Sequence, residues 1–474
     1  MQINTTEKTI EGDLFAAFVT AGAISKANAD DPKKSSLVRC ARTDKGVHAA
    51  GNVISLKLII DEEDIVEKIN AALPPQIRVW GIERTNASFS CYQTCDSRWY
   101  EYLIPTHSFL PPHPQSYLAK KLVDSATADG TLESYKSRQE EVAGFWGETE
   151  EKYIKPILEK LDPALRASVM AAIHTEDVVE NPDDEKDTSG DPVTPALKDE
   201  SEDVQMKEST TTDSVGDAKT SPETTDDKND LPATTTAVGE KTPKPLTPLE
   251  AAIKEVKAAY IKAKKAYRIS DTRRERVQDA LSAYLGTRNF HNYTIQKSFK
   301  EDSAKRVIRS FSVNPEPVYV NDTEWLSLKV HGQSFMMHQI RKMVAMAALV
   351  VRCGTPIDRI HESYQNHKIS IPKAPGLGLL LERPVFDSYN KRAVEDLQRE
   401  KIDFTKYEAA INEFKQREIY ERIYREEEKE NQYATYPDSD SKTNPLQIPY
   451  LLPPYRPLSL RIFPMGHIHR HLCC

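Results

Sequence analysis

The chain has 474 residues and a formal net charge of −8, so it is too long for one ordinary hydrophobic core and predicts at least two domains or lobes. Its longest uninterrupted apolar run, residues 343–351, has nine residues, whereas a membrane-spanning helix needs about twenty. The six cysteines show no paired C-x-x-C spacing. This pattern argues against a disulfide-stapled scaffold and a membrane protein, and it favours reduced thiols.

Residues 176–248 form a strongly acidic segment. They contain 20 Asp/Glu and 7 Lys, so the rest of the chain carries a balance of +5. The chain has no aromatic residue between Tyr153 and Tyr260. Such a composition cannot bury enough apolar surface to offset chain entropy, and it therefore predicts a disordered insert. A phosphorylated regulatory segment, with Ser221 and Thr242 before prolines, is one interpretation; a tolerated surface insertion is the favoured one.

Before the insert, helical and extended patterns alternate. Apolar spacing predicts a helix over residues 10–22 and a short helix over residues 64–73. Residues 37–60 predict a strand, a D-K-G turn and a second strand, and residues 78–84 and 99–104 predict further strands.

After the insert, the same alternation returns. Residues 249–268 and 274–285 predict charged helices, and residues 306–313 and 325–331 predict strands. A helix follows over residues 335–352, with a continuous apolar face. Interleaved strands and helices in both halves predict an α+β protein with two lobes around a shared cleft.

The patterns divide the chain into six parts. These are an N-terminal lobe (1–110), a mostly helical connecting region (111–175), the acidic disordered insert (176–248), a C-terminal lobe (249–390), a charged helical extension (391–432) and an irregular tail (433–474). The tail ends in HIHRHLCC, which offers metal ligands, but an irregular terminus is the favoured interpretation.

Sequence motifs for metalloproteases, serine hydrolases and phosphate-binding loops are missing, so an enzyme would have to work from its own side chains. The stretch ARTDKGVHAAG places Asp44 among basic residues, namely Arg39, Arg42, Lys45 and His48. Asp before Lys-Gly is common in turns, and spacing alone favours that structural role over a chemical one.

Five further stretches change this balance. They are CDSRWYEYLIP, HGQSFMMHQIRKMV, APGLGLLLE, GTRNFHNYT and TIEGDL. Together with ARTDKGVHAAG they occur along the chain in the order of the family pattern, and they resemble the TruA family of pseudouridine synthases and, within it, the eukaryotic branch of tRNA-modifying enzymes. The resemblance covers residues 1 to about 110 and 250–390. It implies the pseudouridine synthase fold, with mixed or antiparallel sheets flanked by helices around a central RNA-binding cleft, and it makes 1–110 the catalytic lobe.

The resemblance also implies residue roles. Asp44 would be the catalytic residue, either as a nucleophile toward the sugar or base or as a base that removes a sugar proton to give a glycal. Both routes need an ionised carboxylate, which neighbouring arginines favour. Arg42 would hold that charge or contact the substrate phosphate. Tyr100 would stack on the target base, although Tyr102 shares its face, and Arg341 would pair with the acid.

His48, Arg288, Lys297 and Lys342 are weaker candidates for RNA phosphate contacts, since a generic basic surface explains them nearly as well. The implied partner is tRNA, with snRNA or mRNA as alternatives. The resemblance implies no metal, no nucleotide cofactor and no membrane, a monomer or homodimer, and a nuclear location. The charged extension would face RNA or form a solvated helix.

The chain also departs from the family pattern. Members carry a strand and a G-T-x-Y-x-G turn before the stretch that matches Met1-Gln2. We therefore expect the N-terminal lobe to lack an interior strand. That expectation favours an alternative function, in which a catalytically impaired protein binds or folds RNA on the same scaffold, whereas the presence of Asp44, Tyr100 and Arg341 favours the enzyme.

Overall fold

The computed structural model of the chain describes residue 3 and residues 7–175 and 246–435. Except for their flanks at 246–248 and 433–435, the predicted acidic insert and the predicted tail, with its HIHRHLCC motif, lie outside the described residues. No helix within the described ranges combines the length and apolarity needed to cross a bilayer.

Strands in both halves of the described chain combine into one main sheet. The strands are Val38–Arg39 (β1), His48–Ala49 (β2), Ile54–Ser55 (β3), Ser97–Pro105 (β4), Gly286–Asn289 (β5), Lys305–Val313 (β6), Val318–Val320 (β7), Thr323–Gly332 (β8) and Leu379–Val385 (β9). Within the described residues, seven strands form a mixed sheet in the order β2-β9-β4-β8-β6-β5, with β7 also on β8, and β1 pairs with β3 separately. β2 runs parallel to β9, and the other pairs are antiparallel. This architecture confirms the predicted fold class.

Helices surround this sheet and fill the connecting region. Before the insert they are Ile10–Thr20 (α1), Ile65–Ala72 (α2), Tyr117–Ala128 (α3), Leu132–Ser137 (α4), Phe145–Thr149 (α5), Lys155–Leu158 (α6) and Pro163–Thr175 (α7). After it they are Pro248–Ala266 (α8), Asp271–Ser282 (α9), Gln339–Arg352 (α10), Asp358–Glu362 (α11), Asp387–Glu395 (α12), Glu408–Phe414 (α13), Glu421–Glu430 (α14) and Gln432–Thr435 (α15).

The two faces of the main sheet carry different elements. Side chains alternate along β4, so Tyr100 and Glu101 point to opposite faces. The face of Tyr100 packs against α9 and α10, as the bond from the Tyr284 hydroxyl to the Met343 carbonyl oxygen (2.8 Å) illustrates. The face of Glu101 receives the C-terminal extension, where Tyr420 donates to Glu101 Oε2 at 2.5 Å. The extension therefore completes the core.

Helix α10 is buried on nearly all sides, and its predicted apolar face lies in the core. It begins at Gln339, four residues later than the predicted start at residue 335. The reason is local, because His338 adopts a left-handed conformation with φ of 62° and interrupts any helix that would run through it.

The part of the N-terminal lobe before β4 pairs its strands sparsely, since β1, β2 and β3 have two residues each. One edge of residues 53–59 is bonded, as in the bonds from Lys57 N to Ser35 O (2.8 Å) and from Ile59 N to Ala23 O (2.9 Å). The other edge faces a groove of about 1600 Å³, and residues 76–87 line its far side. The predicted strand over residues 78–84 is therefore wrong, since extended backbone without a bonded neighbour forms no ladder.

Candidate active site

Asp44 lies on a tight turn between β1 and β2. Val47 N donates to Asp44 O at 3.2 Å, and Gly46 has φ of +79°, a conformation that suits glycine. The predicted D-K-G turn is thus confirmed. The Asp44 side chain remains 39% exposed, so the turn presents its carboxylate to solvent and to a substrate.

The backbone before this turn is held by two side chains. Arg98 on β4 donates from Nη2 to Cys40 O at 2.9 Å. Asn52 donates from Nδ2 to Ala41 O at 3.0 Å. These bonds fix the entry to the turn against the main sheet, while the turn itself projects beyond it.

The basic side chain that contacts Asp44 is His338, immediately before α10. Its Nδ1 lies 3.1 Å from Asp44 Oδ2. Arg341 was predicted to pair with the acid, but its Nε donates to Ala374 O at 2.6 Å. Among the described residues, no lysine or arginine lies within 4.0 Å of the Asp44 carboxylate, so the predicted ion pair is not formed.

Arg341 nevertheless lies at the same corner as the turn. The segment APGLG connects α10, β4 and the turn, because Tyr102 donates from its hydroxyl to Pro375 O at 2.7 Å and Arg341 bonds to the preceding residue. A methyl group on Gly376 would lie 3.6 Å from Arg341 Cζ and 3.8 Å from Lys45 O. The guanidinium group is therefore close to the turn and held in place by the backbone.

The two candidate tyrosines occupy different environments. Tyr100 is 8% exposed and packs edge-on against Phe335, with 5.2 Å between ring centroids. Burial raises the pKa of the Tyr100 hydroxyl to about 12, the Arg98 charge opposes this rise, and the Asp44 charge adds to it. Tyr102 is fully buried and hydrogen-bonded. Tyr100 is thus the tyrosine beside Asp44, and its stacking on a base stays a prediction.

Lys342 follows Arg341 on α10 and is half-buried. Its Nζ donates to Asn292 O at 3.4 Å and to Thr294 O at 3.3 Å. Burial lowers the pKa of Lys342, and the charges of Lys373 and Lys368 lower it further. Lys342, Lys368 and Lys373 are therefore close enough for their charges to interact, which favours phosphate binding.

The other predicted RNA contacts are less favourably placed. Burial lowers the pKa of His48 to about 4, so its imidazole is neutral at physiological pH and offers no cation to a phosphate. Lys297 is exposed but pairs with Glu301 at 2.8 Å. Arg42 and Arg288 are exposed side chains, on the turn and on β5 respectively. The structure brings Asp44, Arg341 and Tyr100 together, and it places Lys297 in a separate ion pair.

His338 is a member of the site that was not predicted from the sequence. A lone histidine before an apolar run gives no distinct signal, and only its backbone conformation and its approach to Asp44 mark it. The assembled corner holds a half-exposed carboxylate, an immobilised guanidinium group and a buried aromatic ring. Such a set can supply a nucleophile or a general base next to a fixed positive charge.

Comparisons with known proteins agree with these motifs. A family model described as tRNA pseudouridine synthase matches residues 280–387. The chain is 42% identical to tRNA pseudouridine synthase 1 of Yarrowia lipolytica, over 92% of this chain and 70% of that protein. It is 40% identical to the protein of the same name in Schizosaccharomyces pombe, over 90% of this chain and 78% of that protein.

A more distant relative is named for another position in tRNA. The chain is 33% identical to tRNA pseudouridine(27/28) synthase of Saccharomyces cerevisiae, over 83% of this chain and 82% of that protein. Identity at these levels over most of both chains confirms the resemblance inferred from the six motifs. The chain belongs to the TruA family of tRNA pseudouridine synthases, in the branch that contains eukaryotic tRNA pseudouridine synthase 1.

Proposed function

We propose that this protein isomerises specific uridines in tRNA to pseudouridine, with Asp44 as the catalytic residue. One observation carries the proposal. The half-exposed Asp44 carboxylate stands at the corner formed by the start of α10, the APGLG segment and Tyr100. The names of the relatives support tRNA as the substrate.

The proposed reaction conserves all atoms and changes no oxidation state overall. The C1′–N1 bond of the uridine breaks, the base turns, a C1′–C5 bond forms, and the proton on C5 is lost while N1 gains one. Asp44 acts either as a nucleophile, whose bond to the sugar or base breaks again before the product leaves, or as the base that removes a sugar proton and later returns it. In both routes, Arg341 supplies a fixed positive charge beside the turn, and its bond to Ala374 O keeps the guanidinium group oriented.

Base access depends on flipping, since the reacting C1′ and C5 atoms must reach Asp44 together. Tyr100 lies beside the acid, packed edge-on against Phe335, and its ring is the proposed stacking surface for the extruded base. Lys342 with Lys368 and Lys373 is the proposed contact for the neighbouring phosphates. The lysine contacts depend on the charge of the RNA backbone rather than on base identity, and the proposal therefore extends to structured snRNA and mRNA. By family resemblance, the proposed location is the nucleus.

A second function has its own supporting observation. The groove between residues 53–58 and 76–87 leaves backbone edges without ladder partners in the catalytic lobe. A lobe weakened there would favour a protein that binds or folds RNA without modifying it. The two functions differ in one respect only, because both bind tRNA but only the enzyme produces pseudouridine.

The experiment uses purified protein, unmodified tRNA transcripts and reverse-transcription stops after carbodiimide treatment. Asp44→Asn keeps the size of the side chain and removes its charge, so the rate should fall roughly 1,000-fold or more with tRNA binding retained. Asp124→Asn, at an exposed acid on α3, is the control and should leave the rate unchanged. Tight tRNA binding by the wild type with no pseudouridine at any position would support the second function instead.

A further inference from the structure

His338 combines an uncommon backbone conformation with a position beside the proposed catalytic acid. Its φ and ψ are 62° and 0°, in the left-handed region that only a few per cent of residues other than Gly adopt, with Asn, Asp and His enriched among them. The conformation is held from both sides. Lys342 N donates to His338 O at 3.0 Å, and Thr294 Oγ1 donates to Met337 O at 3.0 Å.

This conformation directs the imidazole toward Asp44. Nδ1 of His338 lies 3.1 Å from Asp44 Oδ2, and the His338 side chain is only 17% exposed. Nδ1 is buried, its present angle to Asp44 is outside hydrogen-bond geometry, and it has no hydrogen-bond partner among the described residues. Contacts of this kind commonly tighten when substrate binds. Asp44 is therefore the acceptor that Nδ1 can reach by a small adjustment.

The electrostatic surroundings define the state of the imidazole. Burial lowers the pKa of His338, the Asp44 charge opposes this, and the Lys373 and Arg341 charges lower it further. The ring is therefore neutral at neutral pH, so only one of its two nitrogens carries a proton. An ionised Asp44 only accepts hydrogen bonds, which selects the tautomer with the proton on Nδ1.

We propose that His338 is a positioning residue, which donates from Nδ1 to Asp44 Oδ2 and so fixes the carboxylate for reaction with the flipped uridine. The proposal rests on the proposed function for its effect on rate, but the contact itself is testable without any activity. The two carboxylate oxygens of Asp44 then have different roles. Oδ2 is held by the imidazole, and Oδ1 is left to act on the substrate.

A purely structural role is the competing explanation. His338 immediately precedes α10, and a residue there could serve only to begin the helix. Gly and Asn both adopt left-handed backbone readily, so His338→Gly and His338→Asn preserve the turn and differ in the side chain. The matched control is Gln398→Gly, which places glycine at another left-handed residue (φ of 50°) in an exposed loop after α12.

Single-turnover rates, tRNA dissociation constants and melting temperatures form the first test. His338→Gly should lower the single-turnover rate at saturating enzyme by roughly 10- to 100-fold, with tRNA affinity within about twofold and an unchanged melting temperature. His338→Asn should recover part of the rate, because its amide can donate to Asp44. Protonation of His338 in the wild type adds a positive charge beside Asp44, which makes the carboxylate a weaker nucleophile or base. The acid limb of the pH–rate profile should therefore lose the ionisation of His338 in both variants. Gln398→Gly should match the wild type throughout.

An activity-independent measurement separates this proposal from the proposed function. The His338 pKa is followed by NMR of histidine-labelled protein, with and without Asp44→Asn. Because the Asp44 charge raises the His338 pKa, its removal should lower that pKa, whereas the imidazole resonances of exposed His361 should be the same in both proteins. An unchanged His338 pKa overturns the proposed contact, and a wild-type rate with an intact acid limb in His338→Gly overturns the positioning role. Absence of pseudouridine with a shifted pKa overturns the proposed function alone.

Discussion

The two sides of the candidate site are built in opposite ways. On the side of α10 and the APGLG segment, side chains are hydrogen-bonded to the backbone. Arg341 Nε lies 2.6 Å from Ala374 O, and the Tyr102 hydroxyl lies 2.7 Å from Pro375 O. On the side of Asp44, the strands β1, β2 and β3 have two residues each, and the carboxylate is 39% exposed. One side is a rigid framework and the other is a lightly held turn.

This difference indicates a division of tasks. The framework orients charge and aromatic surface, and both α10 and the APGLG segment lie within residues 280–387, which match the family model. The turn carries the reactive group, which must approach a substrate as bulky as a flipped nucleotide. If the division holds, framework substitutions should change stability most, and substitutions in the turn should change the rate most.

The largest expected change in stability comes from the buried charge of the extension. Lys415 Nζ lies 2.5 Å from Glu382 Oε1 and 3.5 Å from Glu101 Oε2, and the residue is only 7% exposed. Lys415→Met removes the cation and leaves the carboxylates of Glu382 and Glu101 without a neighbouring positive charge, although Tyr420 still donates to Glu101. We expect a loss of about 3–5 kcal/mol in the free energy of unfolding, measured by chemical denaturation.

A surface lysine supplies the control for that variant. Lys136 pairs with Glu133 at 3.0 Å on α4, and its side chain is 60% exposed. Lys136→Met should change stability by less than about 0.5 kcal/mol, since exposed ion pairs contribute little. Equal effects of the two substitutions would show that the extension does not dock through Lys415.

The second prediction concerns close packing between the APGLG segment and β4. A methyl group at Gly378 would lie 2.1 Å from the Tyr433 hydroxyl and 2.3 Å from the Leu103 carbonyl oxygen. The backbone must move to admit it, so Gly378→Ala should destabilise the protein by about 1–3 kcal/mol. Gly147→Ala on α5 meets nothing within 4 Å and should stabilise by about 0.5–1 kcal/mol. A neutral Gly378→Ala would mean that the segment is as loosely held as the turn.

The third prediction extends the comparison to pH. His107 follows β4 and is 5% exposed, and burial lowers its pKa to about 3, with Lys264 and Arg352 adding to the effect. The unfolded chain, with a histidine pKa of about 6.5, binds the proton first as pH falls, so stability decreases below that pH. Between pH 7.5 and pH 5 the loss of stability expected from His107 alone is about 2 kcal/mol.

His107→Gln should remove this contribution from the acid-side slope of denaturation midpoints recorded across the same pH range, and the contribution of His48, whose pKa burial lowers to about 4, should remain. His361→Gln, at an exposed histidine on α11, should leave the slope as it is. A wild-type midpoint that does not change between pH 7.5 and pH 5 would show that His107 takes up its proton as readily in the folded protein as in the unfolded one.

Hydrophobic periodicity predicted the elements of the framework well, because a long strand or helix repeats its apolar pattern several times. The alternation over residues 99–104 lies within β4, and the apolar face predicted over residues 335–352 lies in the core on α10. The packing of the extension against the sheet was not predicted from its charged sequence. A helical segment that contains Lys415 has the composition of a solvent-exposed helix, and only its contact with Glu382 shows that it is buried. Burial of a charge depends on residues distant in sequence, and local pattern does not encode it.

The surroundings of the Asp44 turn were less predictable than the turn itself, for two physical reasons. A strand exists only when a neighbour bonds to its edge, and residues 78–84 lack that neighbour among the described residues although their composition suits a strand. The partner of Asp44 was predicted from motif roles as Arg341, whereas the left-handed backbone of His338 brings an imidazole there instead. The contact between His338 and Asp44 depends on the left-handed backbone of His338, and residue spacing in the sequence does not indicate that conformation.

The smallest expected change in stability tests the division of tasks most sharply. Gly46 follows Asp44 by two residues and has φ of +79°, and Gly130 has φ of +68° in the loop between α3 and α4. Neither position has an atom within 4 Å of an added methyl group. Gly46→Ala and Gly130→Ala therefore introduce the same backbone strain, and each should lower stability by about 1 kcal/mol. Only Gly46→Ala displaces the Asp44 turn, so it alone should reduce the single-turnover rate, by about tenfold. Matching rates in the two variants would mean that the turn tolerates displacement and that substrate, rather than backbone, positions the acid.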